Sequence, residues 1–107
     1  MRILGSLGLG LMLLAPVLAP ARAVAADYRV VLDQMAFGPV PPQAHVGDTI
    51  IWQNKDIFRH SATAQDGSFD VDLPAHSEAR MTVTAAGTIV FYCKFHPDMT
   101  GQLVVMP

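Results

Sequence analysis

Between Tyr28 and Val105, no window of this chain sustains apolar residues at helical spacing. Short runs of β-branched and aromatic residues instead alternate with turn clusters, at the roughly eight- to twelve-residue intervals of an all-β sandwich. The spacing predicts strands over Tyr28–Asp33, Thr49–Gln53, His60–Thr63, Ala79–Val83, Thr88–Cys93 and Gln102–Val105. "HVGDT", "AQDGSFD", "LPAHSE" and "AAGT" read as turns or loops. "FGPVPPQ" reads as an irregular crossing, because Pro39, Pro41 and Pro42 cannot donate to a ladder inside a central strand. There is no internal repeat and no low-complexity tract.

Side chains two apart on a strand share a face. Over Thr88–Cys93, Ile89 and Phe91 mark the inner face. Cys93 is therefore expected to point inward at the strand's end and Tyr92 outward. The expected core is Val46, Ile50, Trp52, Phe69, Leu73, Met81, Val83, Ile89, Phe91, Leu103 and Val105.

The N-terminus has a different character. Arg2 precedes an uncharged apolar run from Ile3 to Leu18, and small residues follow in "PARAVAAD". This is the layout of an export signal, with cleavage expected after Ala23 or Ala26. The run is about 16 residues, short of the roughly 20 that span a bilayer. The expected division is a signal peptide over 1–26 and one domain over 27–107. The expected location is periplasmic or secreted, with no membrane insertion after cleavage. The leader inflates the 51% hydrophobic content. Without Arg2 and Arg22, the seven basic residues become five against nine acidic ones, a net charge of −4. That balance does not favour nucleic acid, which calls for a basic face. A domain this short has a modest core and gains from a metal or another staple.

The chain has one cysteine, in "YCKFHPDMTG". A lone cysteine in an exported chain is a free thiol, an intermolecular bridge or a ligand, and an exposed free thiol oxidises. Cys93, His96 and Met99 place three possible donors in seven residues. Thiolate and thioether suit copper; imidazole suits copper or zinc. A fourth donor must come from elsewhere. His60 stands after a loop at the start of a β run, a good place for a rigid ligand. His76, in a Pro-initiated turn, reads as solvated, and His45 as a surface or edge histidine. Zinc is the metal alternative, although a thioether is a poor zinc ligand. A binuclear copper centre needs two cysteines and is excluded by the count.

Cys93-x2-His96-x2-Met99 at a strand end, with His60 upstream, resembles the cupredoxins, the small blue-copper proteins. "GTIVFYCKFHPDMTGQLVV" is similar to their plastocyanin- and amicyanin-like C-terminal segment, with the short ligand loop. "VGDTIIWQNKD", ending in Trp52 and Asn54, resembles their second strand. The likeness covers about residues 28–106. It implies a small, cupredoxin-like Greek-key β-sandwich. It also implies one type 1 copper ion, with His60 and His96 as imidazole ligands, Cys93 as thiolate and Met99 as the long axial thioether. Many members carry an asparagine after the upstream histidine that bonds across the ligand loops. Here Ser61 stands there, with one donor instead of two.

The function implied is single-electron transport between redox proteins by cycling Cu(I) and Cu(II), with no enzyme activity. The partners expected are a transient donor and acceptor, such as a c-type cytochrome or a dehydrogenase, and the expected state is a monomer. Lys94, Phe95 and Asp98 fall between the ligands and read as surface and partner contacts. Asp66, Asp70 and Asp72 read as an acidic steering patch or as a solvated turn. The alternative function is copper binding or delivery for copper homeostasis or oxidase assembly, although the chain has no Met- or His-rich tract.

Overall fold

A computed structural model of the protein describes residues 24–107, together with Gly5, Gly8, Gly10 and residues 12–16. Most of the expected signal peptide lies outside the described residues. No helix among the described residues is long and apolar enough to cross a membrane.

The described chain forms nine strands: β1 (Asp27–Asp33), β2 (Ala36–Phe37), β3 (Ala44–His45), β4 (Thr49–Asn54), β5 (His60–Ala64), β6 (Asp70–Leu73), β7 (Glu78–Thr82), β8 (Gly87–Tyr92) and β9 (Thr100–Met106). They build two sheets, ordered β2-β1-β4-β7 and β3-β9-β8-β5-β6. Most pairs are antiparallel, but β1 runs parallel to β4 and β3 parallel to β9. The chain therefore crosses repeatedly from one sheet to the other, as the sandwich expectation requires.

All six expected strands are present, with ends shifted by a residue or two. Three further strands were not expected. Two are the two-residue pieces β2 and β3, too short to show a period. The third, β6, is an edge strand in which Asp70 and Asp72 face outward and Leu73 turns in.

The inner faces meet around Trp52, Phe91, Leu32, Ile50, Leu73 and Leu103, all fully buried. Alternation along β8 is as predicted: Ile89, Phe91 and Cys93 are buried, while Val90 is exposed. Two core expectations need correction in degree. Phe69 and Met81 are only partly buried, packed against the core from its margin. A third is wrong: Val46 is 43% exposed, because it sits beside Gly47 in the turn that opens β4. That turn is held by Asp48, a fully buried carboxylate that accepts the backbone N–H groups of Ala26 and His45.

Phe91 is wedged edge-on between Phe37 and Trp52, with ring centroids 4.9 and 5.2 Å away. Its cross-strand neighbour on β9 is Gly101. A Cβ there would stand 2.5 Å from Phe91 Cε2. Only glycine lets the ring lie flat over β9, one residue pair below the end of β8.

Candidate metal centre

His60, Cys93, His96 and Met99 converge at one pole of the sandwich. His60 opens β5, and Cys93 follows the last residue of β8. His96 lies in the loop, and Met99 immediately precedes β9. The loop is closed by two backbone bonds: Met99 N–H to His96 C=O, 2.9 Å, and Cys93 N–H to Met99 C=O, 3.0 Å. Cys93 and His60 are fully buried, Met99 is 5% exposed, and His96 is half-buried.

Three donor atoms face one another. His60 Nδ1 lies 3.2 Å from His96 Nδ1, and Cys93 Sγ lies 3.7 Å from each. Imidazole nitrogens about 2.0–2.1 Å and a thiolate about 2.3 Å from one ion stand about this far apart. Among the described residues, this is a group of titratable side chains whose ligand atoms could hold a metal. Two imidazoles, one thiolate and a buried thioether beside them form the donor set of a type 1 copper ion. The set fits that ion better than zinc, which does not recruit a thioether.

The tautomer of His60 follows from its other nitrogen. Nε2 lies 2.7 Å from Asp56 Oδ2. An ionised carboxylate only accepts, so Nε2 carries the proton and the Nδ1 lone pair faces Cys93 and His96. Burial pushes the Asp56 carboxyl up. Hydrogen bonds from His60, Met35 and Gln34 together outweigh it, leaving Asp56 below its ordinary value.

Asp56 was not singled out from sequence, yet it joins two distant elements. The β1–β2 hairpin turns on Gln34 and Met35, which have φ of 51° and 60°. A two-residue hairpin of this kind needs both central residues left-handed, usually Asn and Gly. Here the Asp56 carboxylate accepts both N–H groups, at 2.9 and 3.0 Å. Asp56 is itself held because its N–H donates to Asn54 Oδ1, while Asn54 Nδ2 lies within hydrogen-bond reach of Phe58 O, Leu73 O and Pro74 O. The sequence signal was an acid four residues before His60, in "NKDIFRH".

Ser61 does bond across to the ligand loop. Its hydroxyl accepts the Lys94 N–H, at 2.9 Å, and its own N–H points at Cys93 Sγ, 3.4 Å away. His76 and His45 stay out of the cluster: His76 is an exposed turn residue and His45 sits on the edge strand β3. Lys94, Phe95 and Asp98 are exposed, as expected. The acidic patch is largely neutralised. Asp72 takes a two-pronged bond from Arg59, and Asp70 pairs with Lys94 Nζ at 2.8 Å.

Comparison with known proteins agrees with this geometry. The model of the cupredoxin-like domain family matches residues 6–105. Amicyanin of Paracoccus denitrificans is 32% identical over 96 residues, covering 79% of this chain and 71% of that protein. A solved structure of a reduced amicyanin variant superposes with a TM-score of 0.59 at 28% identity, over 75% of this chain and 82% of the other. A Cu-containing nitrite reductase from Thermus scotoductus SA-01 gives a TM-score of 0.65 at 27% identity. That match takes in 87% of this chain but only 25% of the reductase. On the strength of a match along nearly its whole length, the two-sheet fold and the donor cluster at its pole, this chain belongs to the cupredoxin-like family.

Proposed function

We propose that this chain is an exported electron carrier that binds one type 1 copper ion through His60, Cys93, His96 and Met99. The observation that carries the reading is the approach of two imidazole Nδ1 atoms and one thiolate sulfur to within 3.2–3.7 Å at a buried pole. When bound, copper supplies one-electron chemistry between Cu(I) and Cu(II). The chain supplies everything else. Asp56 holds the His60 ring in the tautomer that leaves Nδ1 bare. Phe91 and the inner ends of β5 and β8 keep water from Cys93 and His60. Backbone bonds brace the loop, so little has to move when the charge at the site changes.

His96 is the donor nearest solvent, and the surface around it is apolar. Phe58, Phe95 and Met35 are all exposed beside it. Phe58 packs edge-on against His96, with ring centroids 6.3 Å apart. Arg59 lies over the Phe95 ring at 4.8 Å while gripping Asp72. This rim suits brief contact with a donor and an acceptor, such as a dehydrogenase and a c-type cytochrome. With Asp70 and Asp72 paired, apolar contact matters more than acidic steering. The reading assigns no substrate chemistry to the chain.

The test is to load the protein with Cu(II) and record its visible spectrum. An intense blue thiolate-to-copper band is expected in the wild type, and none in Cys93→Ser. A colourless wild type, or a blue Cys93→Ser, would remove the assignment.

A further inference from the structure

Ser61 touches both ligand-bearing elements, yet its hydroxyl has one proton and more than one neighbour. Its Oγ lies 2.9 Å from the Lys94 backbone nitrogen and 2.9 Å from Thr63 Oγ1. Thr63 Oγ1 lies 2.9 Å from Asp70 Oδ1, and Asp70 Oδ2 lies 2.8 Å from Lys94 Nζ. Geometry alone leaves the Ser61–Thr63 bond open in direction. Elimination closes it. A backbone N–H only donates, so Ser61 accepts from Lys94. An ionised carboxylate only accepts, so Thr63 spends its proton on Asp70. Thr63 must then accept from Ser61. The order is Lys94 N–H to Ser61, Ser61 O–H to Thr63, Thr63 O–H to Asp70, and Lys94 Nζ–H back to Asp70. The ring closes through Lys94's own side chain.

We propose that Thr63 and Asp70 are positioning residues for the metal loop: they orient the Ser61 hydroxyl so that its lone pair holds the Lys94 amide, next to Cys93. The proposal rests on the reading of this pole as the copper site.

The strand geometry makes the link direct. Ser61 and Thr63 are two apart on β5 and share a face, and Thr63 is paired in register with Asp70 on β6. Ser61 is fully buried and Thr63 is 8% exposed, so water is a poor substitute for either bond. Asp70 is exposed, but hydrogen bonds from Lys94 and then Thr63 hold its carboxyl below the ordinary value, which keeps it an acceptor at neutral pH. Without Thr63's hydroxyl, the Ser61 proton has lost its acceptor. Its rotation is then free, and in other rotamers it opposes the Lys94 N–H. The single hydroxyl does the bridging work only because two further residues fix which way it points.

The test uses amide hydrogen exchange in the metal-free protein and Cu(I) affinity by chelator competition, in Thr63→Val, Thr63→Ser and Asp70→Ala. One net hydrogen bond corresponds to about three- to tenfold in an equilibrium constant. Exchange at Lys94 is expected to rise about three- to tenfold in Thr63→Val and Asp70→Ala, with Cu(I) affinity falling by a similar factor. Thr63→Ser, which keeps the hydroxyl, is expected to behave as wild type. Leu103, on β9, is expected to exchange at its wild-type rate. Asp70→Ala is a surface change and folds even if Thr63→Val does not. Unchanged Lys94 exchange in both variants would overturn the proposal, as would a uniform rise across the sheet, the mark of general destabilisation. Failure of the copper reading is separate: the wild type would then form no blue site, whatever Lys94 does.

Discussion

Replacing Asp56 by alanine removes one side chain, strips the His60 Nε2–H and the Met35 N–H of their acceptor, and leaves the Gln34 N–H with Asp33 Oδ1 alone. The His60 Nε2–H is the costly one, because His60 is fully buried and its 2.7 Å bond has no evident replacement. A buried donor stripped of its partner costs about 1–3 kcal/mol. The Gln34 and Met35 N–H groups belong to exposed residues, so water replaces the carboxylate there at smaller cost. The expected loss in the metal-free protein is thus about 1–3 kcal/mol, read as a lower urea midpoint with an unchanged slope. At about 4–8 °C per kcal/mol for a domain of this size, the melting temperature should fall by roughly 4–24 °C. Metal binding should suffer separately, since an unheld imidazole must be reoriented by the ion. Loss of such a partner typically costs about 10–100-fold in affinity, measured by competition with a Cu(I) chelator. Asp56→Asn keeps one carbonyl acceptor and should fall between the two. The pH dependence has a definite sign. Asp56 is held below its ordinary value, so its stabilisation is complete above the unfolded carboxylate range near about 3.9 and is lost as pH falls through the folded value. The gap between wild type and Asp56→Ala should therefore close in acid. An alanine variant with wild-type urea midpoint and wild-type Cu(I) affinity would refute this account of Asp56.

Gly101→Ala should destabilise by about 1–3 kcal/mol, because the added Cβ meets Phe91 and that ring is fixed by Phe37 and Trp52. A thermal melt checks it, and an unchanged midpoint would mean the ring can give way. Phe58→Asp puts a charge on the apolar rim beside His96. It should slow electron self-exchange, measured by NMR line broadening in mixtures of reduced and oxidised protein, by about tenfold, with its absorption spectrum intact. An unchanged rate would place the contact face elsewhere.

Much of this architecture was legible in the sequence because its signals are local. The period of two in Thr88–Cys93 turned Ile89, Phe91 and Cys93 inward, and the structure buries all three. The turn residues punctuated the six longer strands. The same local reading failed where the determinant is distant. Neither Gln34 nor Met35 is the Asn or Gly that announces a left-handed turn; the acceptor their two N–H groups share is Asp56, more than twenty residues away. β2 and β3 have two residues each, so pattern carries no information there. Asp66, Asp70 and Asp72 read as an acidic patch or a solvated turn because charge is visible in sequence and pairing is not. Arg59 and Lys94 reach two of them only once β5, β6 and β8 lie side by side. At the candidate site, spacing alone assembled Cys93, His96 and Met99. The convergence of His60 on them depends on β5 pairing with β8.

The central claim is that this pole holds copper in order to move electrons. Cyclic voltammetry of the copper-loaded protein, with copper quantified per chain, tests it most directly. The account predicts one reversible one-electron couple at one copper per chain, stable over repeated cycles, and lost together with the blue band in Cys93→Ser. An irreversible response, or copper that leaves the protein on reduction, would contradict electron transport and point to copper delivery.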